Sequence, residues 1–507
     1  MPTELGRTLS RVRTGPGSDF GPRGVEGANA RRTQLLPVAL TLIAAAILIL
    51  AATRVDSHGA TAIVAIVGML AGVGLVYLVC TAEPVYVFTL AIILTPFASN
   101  WQQLHVPGPA APDRLLFVIG TVSVLFRSYV LATLPRPRFG ASHAAMALAV
   151  AYAAVSAEAY HSLLHKGPGL LLIETFGVLP FISFWLGPII FPTDRERMIL
   201  LRGLVVMGAY LGLTALFETT GPKALVWPRY ILNPNVGLHY GRARGPFVDA
   251  VANGVGLYVG AVASAIAAFR WRAARWRITT IGICLLCLAG TIMTLERSIW
   301  ISTAAATLVA LFASRATRKF AIPVLLTLAA VCAIAIFAIP GLHSSVSQRL
   351  SNPESLYDRE NTTQTALAMI KARPLLGFGW DQFQTAHDAY IRESANIPLT
   401  ATNIILHNAY LTYAVELGLV GGSLWLLAVL LGVGGTALRR VPPELEPWRI
   451  GLLALFVFFL IGEAAVPPTV FVNASLWLWA GVVAGVRHPP LEPEPVSLHD
   501  MPRPVSS

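Results

Sequence analysis

The chain has 507 residues, of which 55% are apolar and 12% are charged, and its formal net charge is +11. Because soluble domains carry about 25% charged residues, this composition, with a mean hydropathy of +0.65, excludes an ordinary soluble protein and indicates a polytopic membrane protein. The positive charge does not indicate a nucleic-acid partner, since the arginines lie in short clusters between apolar runs, where they mark cytoplasmic loops.

Both ends of the chain are polar, and apolar runs fill the part between them. Residues 1–34 are rich in Gly and Arg and lack the apolar segment of a cleavable signal, so they predict a disordered cytoplasmic tail. The Pro-rich residues 487–507 predict a second cytoplasmic tail. A span needs about 20 apolar residues, which predicts an all-α fold with about eleven spans in 35–340 and about three in 405–486. The total is 12–14, because the third and the last two candidates are the weakest. The candidates lie near 35–53, 58–80, 83–98, 114–133, 142–162, 168–191, 197–217, 247–269, 278–294, 298–314, 320–340, 405–435, 450–467 and 469–486.

The positive clusters give the orientation of these spans. From a cytoplasmic N-terminus, alternation places "RPRF", "TDRER", "RWRAARWR", "RATRK" and "RRVPPELEPWR" on the cytoplasmic side. The segments predicted to face out are then 99–113, 219–246, a tight turn at Glu296 and residues 341–404, which we call the large loop. Both termini are predicted to be cytoplasmic.

The large loop is too long for a simple connection, since connections above about 15 residues are unusual unless they are functional or disordered. Its stretch "QTALAMIKARPLLGFGWDQF" has a short apolar-periodic segment, then Pro374, then a cluster of glycines and aromatic residues around Trp380. We therefore expect a partly helical extracytoplasmic lid.

Polar residues at three predicted span ends suggest a functional site. Charges in a span cost roughly 2.5 to 3.5 kcal/mol at mid-helix, so those that remain call for a functional hypothesis. They are Arg242 and Arg244 in "GRARGPFVDAVANG", Glu296 and Arg297 in "TLERSIW", and His407 in "HNAYLTYAVELGLVG". An arginine at a helix end can also simply extend its side chain to the headgroups. Here, however, all three clusters are predicted on the outer side beneath the large loop.

Several arginines and one histidine suit a pyrophosphate substrate. The guanidinium group stays charged, and its planar fork matches phosphate oxygens. In a dry site such donors stabilise the charge that develops on a departing diphosphate. Histidine, with an unperturbed pKa of about 6.5, can accept a proton from an attacking sugar hydroxyl. Together these groups favour glycosyl transfer from a lipid-linked pyrophosphate donor.

No metal or cofactor is predicted. The sequence has no D-x-D pair to hold a divalent cation, the nearest approach being Asp358, Arg359 and Glu360. We therefore expect arginine to replace the metal. Cys284 and Cys287 form a C-x-x-C motif, but no second pair exists to complete a zinc site.

The motifs resemble the O-antigen ligase and O-antigen polymerase superfamily. Its C-terminal signature is a His-Asn pair followed after nine residues by G-x-x-G, which here gives His407, Asn408, Gly418 and Gly421. "RARGPF", "ERSIW" and "RPLLGFGWDQF" are similar to the other blocks of the superfamily, in its usual order. The resemblance covers roughly residues 200–435.

The resemblance implies a bacterial inner-membrane glycosyltransferase of cell-surface polysaccharide biosynthesis. Its donors are glycans on undecaprenyl or other polyprenyl pyrophosphates. Ligases transfer the glycan to lipid A core and polymerases to another repeat unit, and such ligases are regarded as metal-independent and inverting. Carried over, His407 is the base or acceptor-positioning group, and Arg297 with Arg242 or Arg244 contacts the pyrophosphate.

Three further residues, Asn408, Tyr410 and Glu296, are expected to support this site. Glu296 stands where family members often have a small polar residue, and it can orient Arg297 or partly neutralise it. In a continuous helix Tyr410 shares a face with His407, whereas Glu416 lies about 180° away and roughly 13 Å deeper. We therefore expect Glu416 to be a structural carboxylate satisfied by a neighbouring span.

The glycines near these motifs have a packing interpretation. Gly418, Gly421 and Gly422 are expected to allow close helix approach, as small residues do in membranes. The run Gly254, Gly256 and Gly260 has the same explanation, since no strand precedes it as a nucleotide loop would require.

Two alternatives remain open at this point. A transporter or lipid-glycan flippase also uses charged residues in spans, although it favours broken helices at the midplane and charges spread through the depth of the membrane. A membrane anchor for a partner complex does not explain the clustered polar groups. Within the leading interpretation, the sequence does not separate ligase from polymerase.

Overall fold

The computed structural model describes residues 81–106, 111–159, 166–338, 342–351, 354–391, 406–464 and 470–485. Packing divides the chain into two units, Met1–Ala82 and Glu83–Ser507. The described residues of the second unit form helices and connecting turns without a strand, which confirms the predicted all-α class. The helices are α1 (Pro84–Leu94), α2 (Pro112–Tyr129), α3 (Ala141–Ala159), α4 (Lys166–Leu170), α5 (Val178–Ile190), α6 (Asp194–Thr220), α7 (Ala250–Arg270), α8 (Ala274–Met293), α9 (Arg297–Phe312), α10 (Arg315–Arg318), α11 (Ala321–Ala338), α12 (Leu342–Ser351), α13 (Glu354–Ala372), α14 (Phe383–Ala386), α15 (Ala409–Glu416), α16 (Gly418–Val429), α17 (Gly435–Leu438), α18 (Glu446–Gly462) and α19 (Val470–Ala484).

Among the described residues, five helical stretches are long and apolar enough to cross a membrane, as expected for a polytopic membrane protein. They are Pro168–Ile190, Asp194–Thr220, Ala250–Arg270, Ala274–Met293 and Gly418–Leu438. The first contains a π-helical segment, Leu171–Phe176, between α4 and α5. The predicted spans 35–53 and 58–80 and both predicted tails lie outside the described residues. The total of 12–14 spans and the domain boundaries therefore stay predictions.

Polar side chains define where the central helices begin. Asp249 caps α7 by accepting a hydrogen bond from the Ala252 backbone N–H at 2.8 Å. Asn408 caps α15 by accepting one from the Leu411 N–H at 3.0 Å. Each cap satisfies a backbone donor that has no partner inside its helix.

Glycines let the central helices approach closely, as the sequence predicted. A Cβ built on Gly260 of α7 would lie 2.6 Å from the Gly208 Cα atom of α6, a distance that no side chain tolerates. The α7 helix is buried along almost its whole length between its neighbours. Its N-terminal end, which carries the cap Asp249, is therefore held at a fixed place in the bundle.

The described part of the large loop is helical and ordered. The predicted short helix proves to be the 19-residue α13. Together with α14 and α15 it encloses a small apolar core formed by Ala366, Met369, Phe378, Phe383, Leu406 and Val415. This core seats the loop directly on the helix that follows His407.

The predicted span at 405–435 is broken rather than continuous. Helix α15 ends at Glu416, Gly418 has a φ of +67°, and α16 then begins. The membrane-length stretch starts at Gly418. His407 also precedes the cap of α15, so the helical-face relation that the sequence suggested between His407 and Tyr410 does not apply.

Candidate functional site

Arg244 is buried within its own segment of the chain. Its side chain is 0% exposed and donates to the carbonyl oxygens of Ile231 (3.2 and 2.7 Å), Val236 (2.7 Å) and Asn233 (2.6 Å). Its Nε lies 3.6 Å from an oxygen of the buried Glu218 carboxylate. The guanidinium group therefore holds the 231–238 segment in place.

Arg242, two residues earlier, has a different environment. The backbone next to it is fixed, because the Ala243 N–H donates to the Met293 carbonyl at 3.0 Å and the Ala243 carbonyl accepts from Asn253 at 3.0 Å. The Arg242 side chain is 22% exposed and forms an ion pair with Glu296. In "RARG", Arg244 thus faces inward and Arg242 faces the turn before α9.

The starts of α7 and α9 lie side by side at this place. A Cβ built on Gly254, in the second turn of α7, would be 2.8 Å from the side chain of Ile299 in the first turn of α9. The first residue of α9 is Arg297, and Glu296 is its cap. Because helix N-termini carry partial positive charge, this place combines two such ends with the ion pair between Arg242 and the buried Glu296 carboxylate.

A histidine that the sequence did not single out joins this group. His239 Nε2 lies 3.8 Å from Glu296, and His239 Nδ1 lies 3.9 Å from Asp249. The side chain is partly exposed and connects the cap of α7 to the cap of α9. Its backbone φ of +59° is a conformation that non-glycine residues adopt in only a few per cent of cases.

His407 lies directly before α15, and the start of this helix is tied to the end of α18. The Ala409 N–H donates to the Glu463 carbonyl at 2.8 Å, and the Tyr410 hydroxyl donates to the Leu460 carbonyl at 3.0 Å. Asn408 is the cap of the same helix. The two predicted supporting residues thus fix the helix that follows His407.

The end of α18 also lies beside α9, so it connects the two clusters. A Cβ built on Gly462 would lie 3.9 Å from Ser302 Oγ, in the second turn after Arg297. The Glu463 side chain, next to Gly462, is buried, and its Oε2 atom has no hydrogen-bond partner among the described residues. The same holds for the buried hydroxyls of Ser298, Ser302 and Thr303. Buried polar groups that lack partners among the described residues are therefore concentrated on α9 and at the end of α18.

Glu463 is a functional candidate that the sequence reasoning missed. Its signal was present, because a carboxylate within a predicted span calls for a functional hypothesis by default. The apolar run around it is one of the weakest predicted spans, so the sequence pattern does not single out this carboxyl group.

The large loop is attached to the break at Gly418 by backbone hydrogen bonds. The N–H groups of Phe378 and Gly379 donate to the carbonyls of Val415 (2.9 Å) and Glu416 (2.8 Å), and the Leu419 N–H donates to Pro374 (2.8 Å). A Cβ built on Gly418 would lie 2.2 Å from the Leu375 carbonyl oxygen. Gly418 is thus required for a left-handed backbone and contact with the loop, rather than for helix packing as expected. Gly421 keeps the packing role, because its Cβ would meet Tyr152 of α3 at 2.5 Å.

Glu416 has a different partner from the expected one. Its carboxylate accepts hydrogen bonds from the Asp381 N–H (3.0 Å) and the Phe383 N–H (3.4 Å) of the large loop, not from a neighbouring span. The Asp381 carboxyl lies close by, and burial raises its pKa above the usual range. Two acidic groups thus lie where the loop meets α15.

No protein with curated annotation matches this sequence. Residues 282–426, from α8 to α16, match the family model described as O-antigen ligase. The matched region includes Arg297, the large loop and His407. Together with the several apolar helices, the match indicates a bacterial membrane protein with an O-antigen ligase domain and a function of the glycosyltransferase type, and it confirms the resemblance to the O-antigen ligase and polymerase superfamily.

Proposed function

We propose that this protein transfers a glycan from a polyprenyl-pyrophosphate donor to a saccharide or lipid-glycan acceptor at the outer face of the bacterial cytoplasmic membrane. One observation carries the proposal: the end of α18 lies beside both the start of α9, with Arg297, and the start of α15, after His407. The O-antigen ligase match covers both of these helix starts.

The donor pyrophosphate is assigned to Arg242 and Arg297. Both are partly exposed, both lie at the joined N-terminal ends of α7 and α9, and helix N-termini favour anions. Arg244 is not assigned to substrate, because backbone carbonyls and Glu218 occupy its donors inside the fold. Its role is to fix the segment that presents Arg242.

Glu296 sets the charge of this site. Its pairing with Arg242 leaves one net positive charge on the group formed by Arg242, Glu296 and Arg297. The negative charge of a bound diphosphate is attracted to both arginines and repelled by the Glu296 carboxylate. Binding of the donor is therefore expected to loosen the Arg242–Glu296 pair and turn Arg242 towards the diphosphate.

The reaction is a single displacement with inversion. The acceptor hydroxyl oxygen forms a bond to the anomeric carbon of the donor, and His407 takes the hydroxyl proton. The bond from the anomeric carbon to the phosphate oxygen breaks, and its electron pair leaves on the polyprenyl diphosphate. Arg242, Arg297 and the two helix ends stabilise the charge that forms there.

Glu463 is proposed as a positioning residue for this step. Its backbone carbonyl accepts a hydrogen bond from the N–H of Ala409, two residues after His407, and its buried side chain has an Oε2 atom without a partner among the described residues. We infer that this group, in its ionised form, stabilises the positive charge that His407 acquires when it takes the proton.

The test is transfer by the purified full-length protein from an undecaprenyl-pyrophosphate glycan to its acceptor. His407→Ala is expected to lower kcat by about 10² to 10⁴, and Arg297→Ala by about 10² to 10³, with normal membrane insertion. His343→Ala, which changes an exposed histidine of α12, is the matched control and should keep full activity. Wild-type rates in a folded His407→Ala or Arg297→Ala protein would refute the proposal.

A further inference from the structure

A cavity of about 250 Å³ lies where the large loop meets α15 and the start of the Pro168–Ile190 span. Trp380 and Asp381 line it from the loop, Thr412 and Glu416 line it from α15, and Leu171 lines it from the span. Its size is below the roughly 300 to 1,000 Å³ typical of pockets for drug-sized ligands. It therefore suits one sugar ring rather than a longer oligosaccharide.

The walls of this cavity are fixed before any ligand binds. The loop wall is attached to α15 through the backbone hydrogen bonds of Phe378 and Gly379. The Trp380 N–H donates to Ser156 Oγ at 3.1 Å, and its indole N–H donates to the Pro168 carbonyl at 2.9 Å. A preorganised site loses little conformational entropy on binding.

The lining combines aromatic rings, hydroxyl and amide groups, and two carboxyl groups. The rings of Trp380 and Tyr413 lie nearly parallel with centroids 6.2 Å apart. Each oxygen of Glu416 accepts one loop N–H, whereas a carboxylate can accept about four hydrogen bonds in total. Sugar hydroxyls supply such donors, and the apolar face of a pyranose packs on aromatic rings.

The charge of the lining determines which kinds of sugar the cavity favours. Among the described residues that line it are two acids, Asp381 and Glu416, and no lysine, arginine or histidine. Burial raises the pKa of Glu416 to about 8, so the negative charge of the lining rests on Asp381, and because like charges placed together disfavour binding, a diphosphate or a uronic acid is disfavoured here. A neutral or amino sugar is favoured.

The position of the cavity relates it to the proposed reaction. Leu406, which precedes His407, lines it, and so does Thr412 of the helix that follows His407. The arginines assigned to the donor pyrophosphate lie instead at the starts of α7 and α9. We propose that this cavity binds the terminal, uncharged or amino sugar ring of the acceptor and presents its hydroxyl to His407. The acceptor role rests on the proposed function, whereas sugar binding itself does not.

The test compares two neighbouring leucines of similar exposure. Leu171, 40% exposed, lines the cavity, whereas Leu170, 39% exposed, does not. Leu171→Trp fills the cavity and Leu170→Trp is its control. Saturation-transfer NMR on the full-length protein in detergent uses methyl glycosides of glucose, galactose, mannose, glucosamine and glucuronic acid as probes. At least one neutral or amino glycoside should bind wild type and Leu170→Trp equally and Leu171→Trp at least tenfold more weakly, and the glucuronoside should bind most weakly.

A second variant tests the charge of the site without filling it. Asp381 has a φ of +57°, a conformation that asparagine tolerates well. Asp381→Asn should therefore fold normally and raise glucuronoside binding relative to the neutral glycosides by about tenfold, which is about 1.4 kcal/mol. This gain cannot arise from misfolding.

The outcomes separate the cavity from the proposed function. Unchanged glycoside binding in Leu171→Trp, or a glucuronoside that binds wild type as well as the neutral probes, refutes the sugar site even if His407→Ala abolishes transfer. Glycoside binding that depends on Leu171 while His407→Ala retains transfer supports the sugar site and refutes the proposed catalytic role. Strong competition with the lipid-linked donor but not with the acceptor would refute the assignment to the acceptor.

Discussion

Two arginines of one short segment, Arg242 and Arg244, should respond to mutation in opposite ways. Arg244→Met removes the hydrogen bonds to Ile231, Asn233 and Val236 and leaves the Glu218 carboxylate, with 6% side-chain exposure, without its cation. Breaking a buried pair costs about 3–5 kcal/mol, and Glu218 keeps two backbone donors, which favours the lower end. Proteins have total stabilities of about 5–15 kcal/mol, so this loss is large.

Arg242→Gln should cost less stability than Arg244→Met, because the Arg242 side chain is 22% exposed and a glutamine amide can still donate a hydrogen bond to the buried Glu296 carboxylate. Its effect should be on the reaction, with kcat lowered by about 10² to 10³ through the loss of one charged donor to the leaving diphosphate. Arg242→Lys keeps the positive charge but lacks the planar guanidinium fork, so its kcat should lie between those of the wild type and Arg242→Gln.

The assay pairs thermal unfolding of the detergent-solubilised protein with the transfer rate per folded molecule well below the Tm. Arg244→Met should lower the Tm by several degrees and keep most of the rate of the folded fraction. Arg242→Gln should lower the Tm less than Arg244→Met does and should lose the rate. An Arg244→Met protein with a wild-type Tm and no transfer, or a fully active Arg242→Gln protein, would show that the assignment of the two arginines is wrong.

The loop contact at Gly418, the carboxyl group of Glu463 and the diphosphate site each give one further expected outcome. Gly418→Ala places a Cβ 2.2 Å from the Leu375 carbonyl oxygen at a left-handed φ. This variant should lower the Tm and expose the large loop to protease. Gly422→Ala, whose added Cβ would have its nearest contact at 3.6 Å, should do neither. Glu463→Gln should lower kcat by about 10² with little change in donor KM and should shift the pH profile of kcat; an unchanged profile would mean that Glu463 is only structural. Transfer should persist in EDTA, since arginines are assigned to the diphosphate, and loss of activity that magnesium restores would contradict that assignment.

The class of fold followed from the sequence because apolar runs of membrane length are a strong and local signal. One helix start was also accessible: Glu296, the residue before α9, lies in the tight turn that the sequence predicted. Local patterns cannot show which of two arginines turns inward. Arg242 and Arg244 have the same chemistry, and only the path of the 231–238 segment separates them.

Contacts between segments that lie far apart in the sequence were the hardest feature to predict. The sequence gives no sign that Gly418 contacts residue 375, so its left-handed backbone looked like ordinary helix packing. Glu416 was likewise expected to contact another span. Its partners are backbone N–H groups of the large loop, and such partners leave no side-chain pattern in the sequence. Glu463 has a local signal, a carboxyl group within an apolar run, but its contact with the start of α15 is visible only in the structure.

The burial of Arg244 also has a consequence for sequence variation. The guanidinium group holds residues 233, 236 and 238 through main-chain oxygens, which every amino acid provides. The Leu238 side chain is 56% exposed, so it is free to change while the anchor stays, whereas the Asn233 side chain also accepts a hydrogen bond from the Asn235 N–H. A mutational scan of the segment should therefore show broad tolerance at Leu238 beside an invariant requirement at Arg244. The exposed surface of this segment can then vary, for example to suit different glycans, without displacing Arg242, two residues before Arg244.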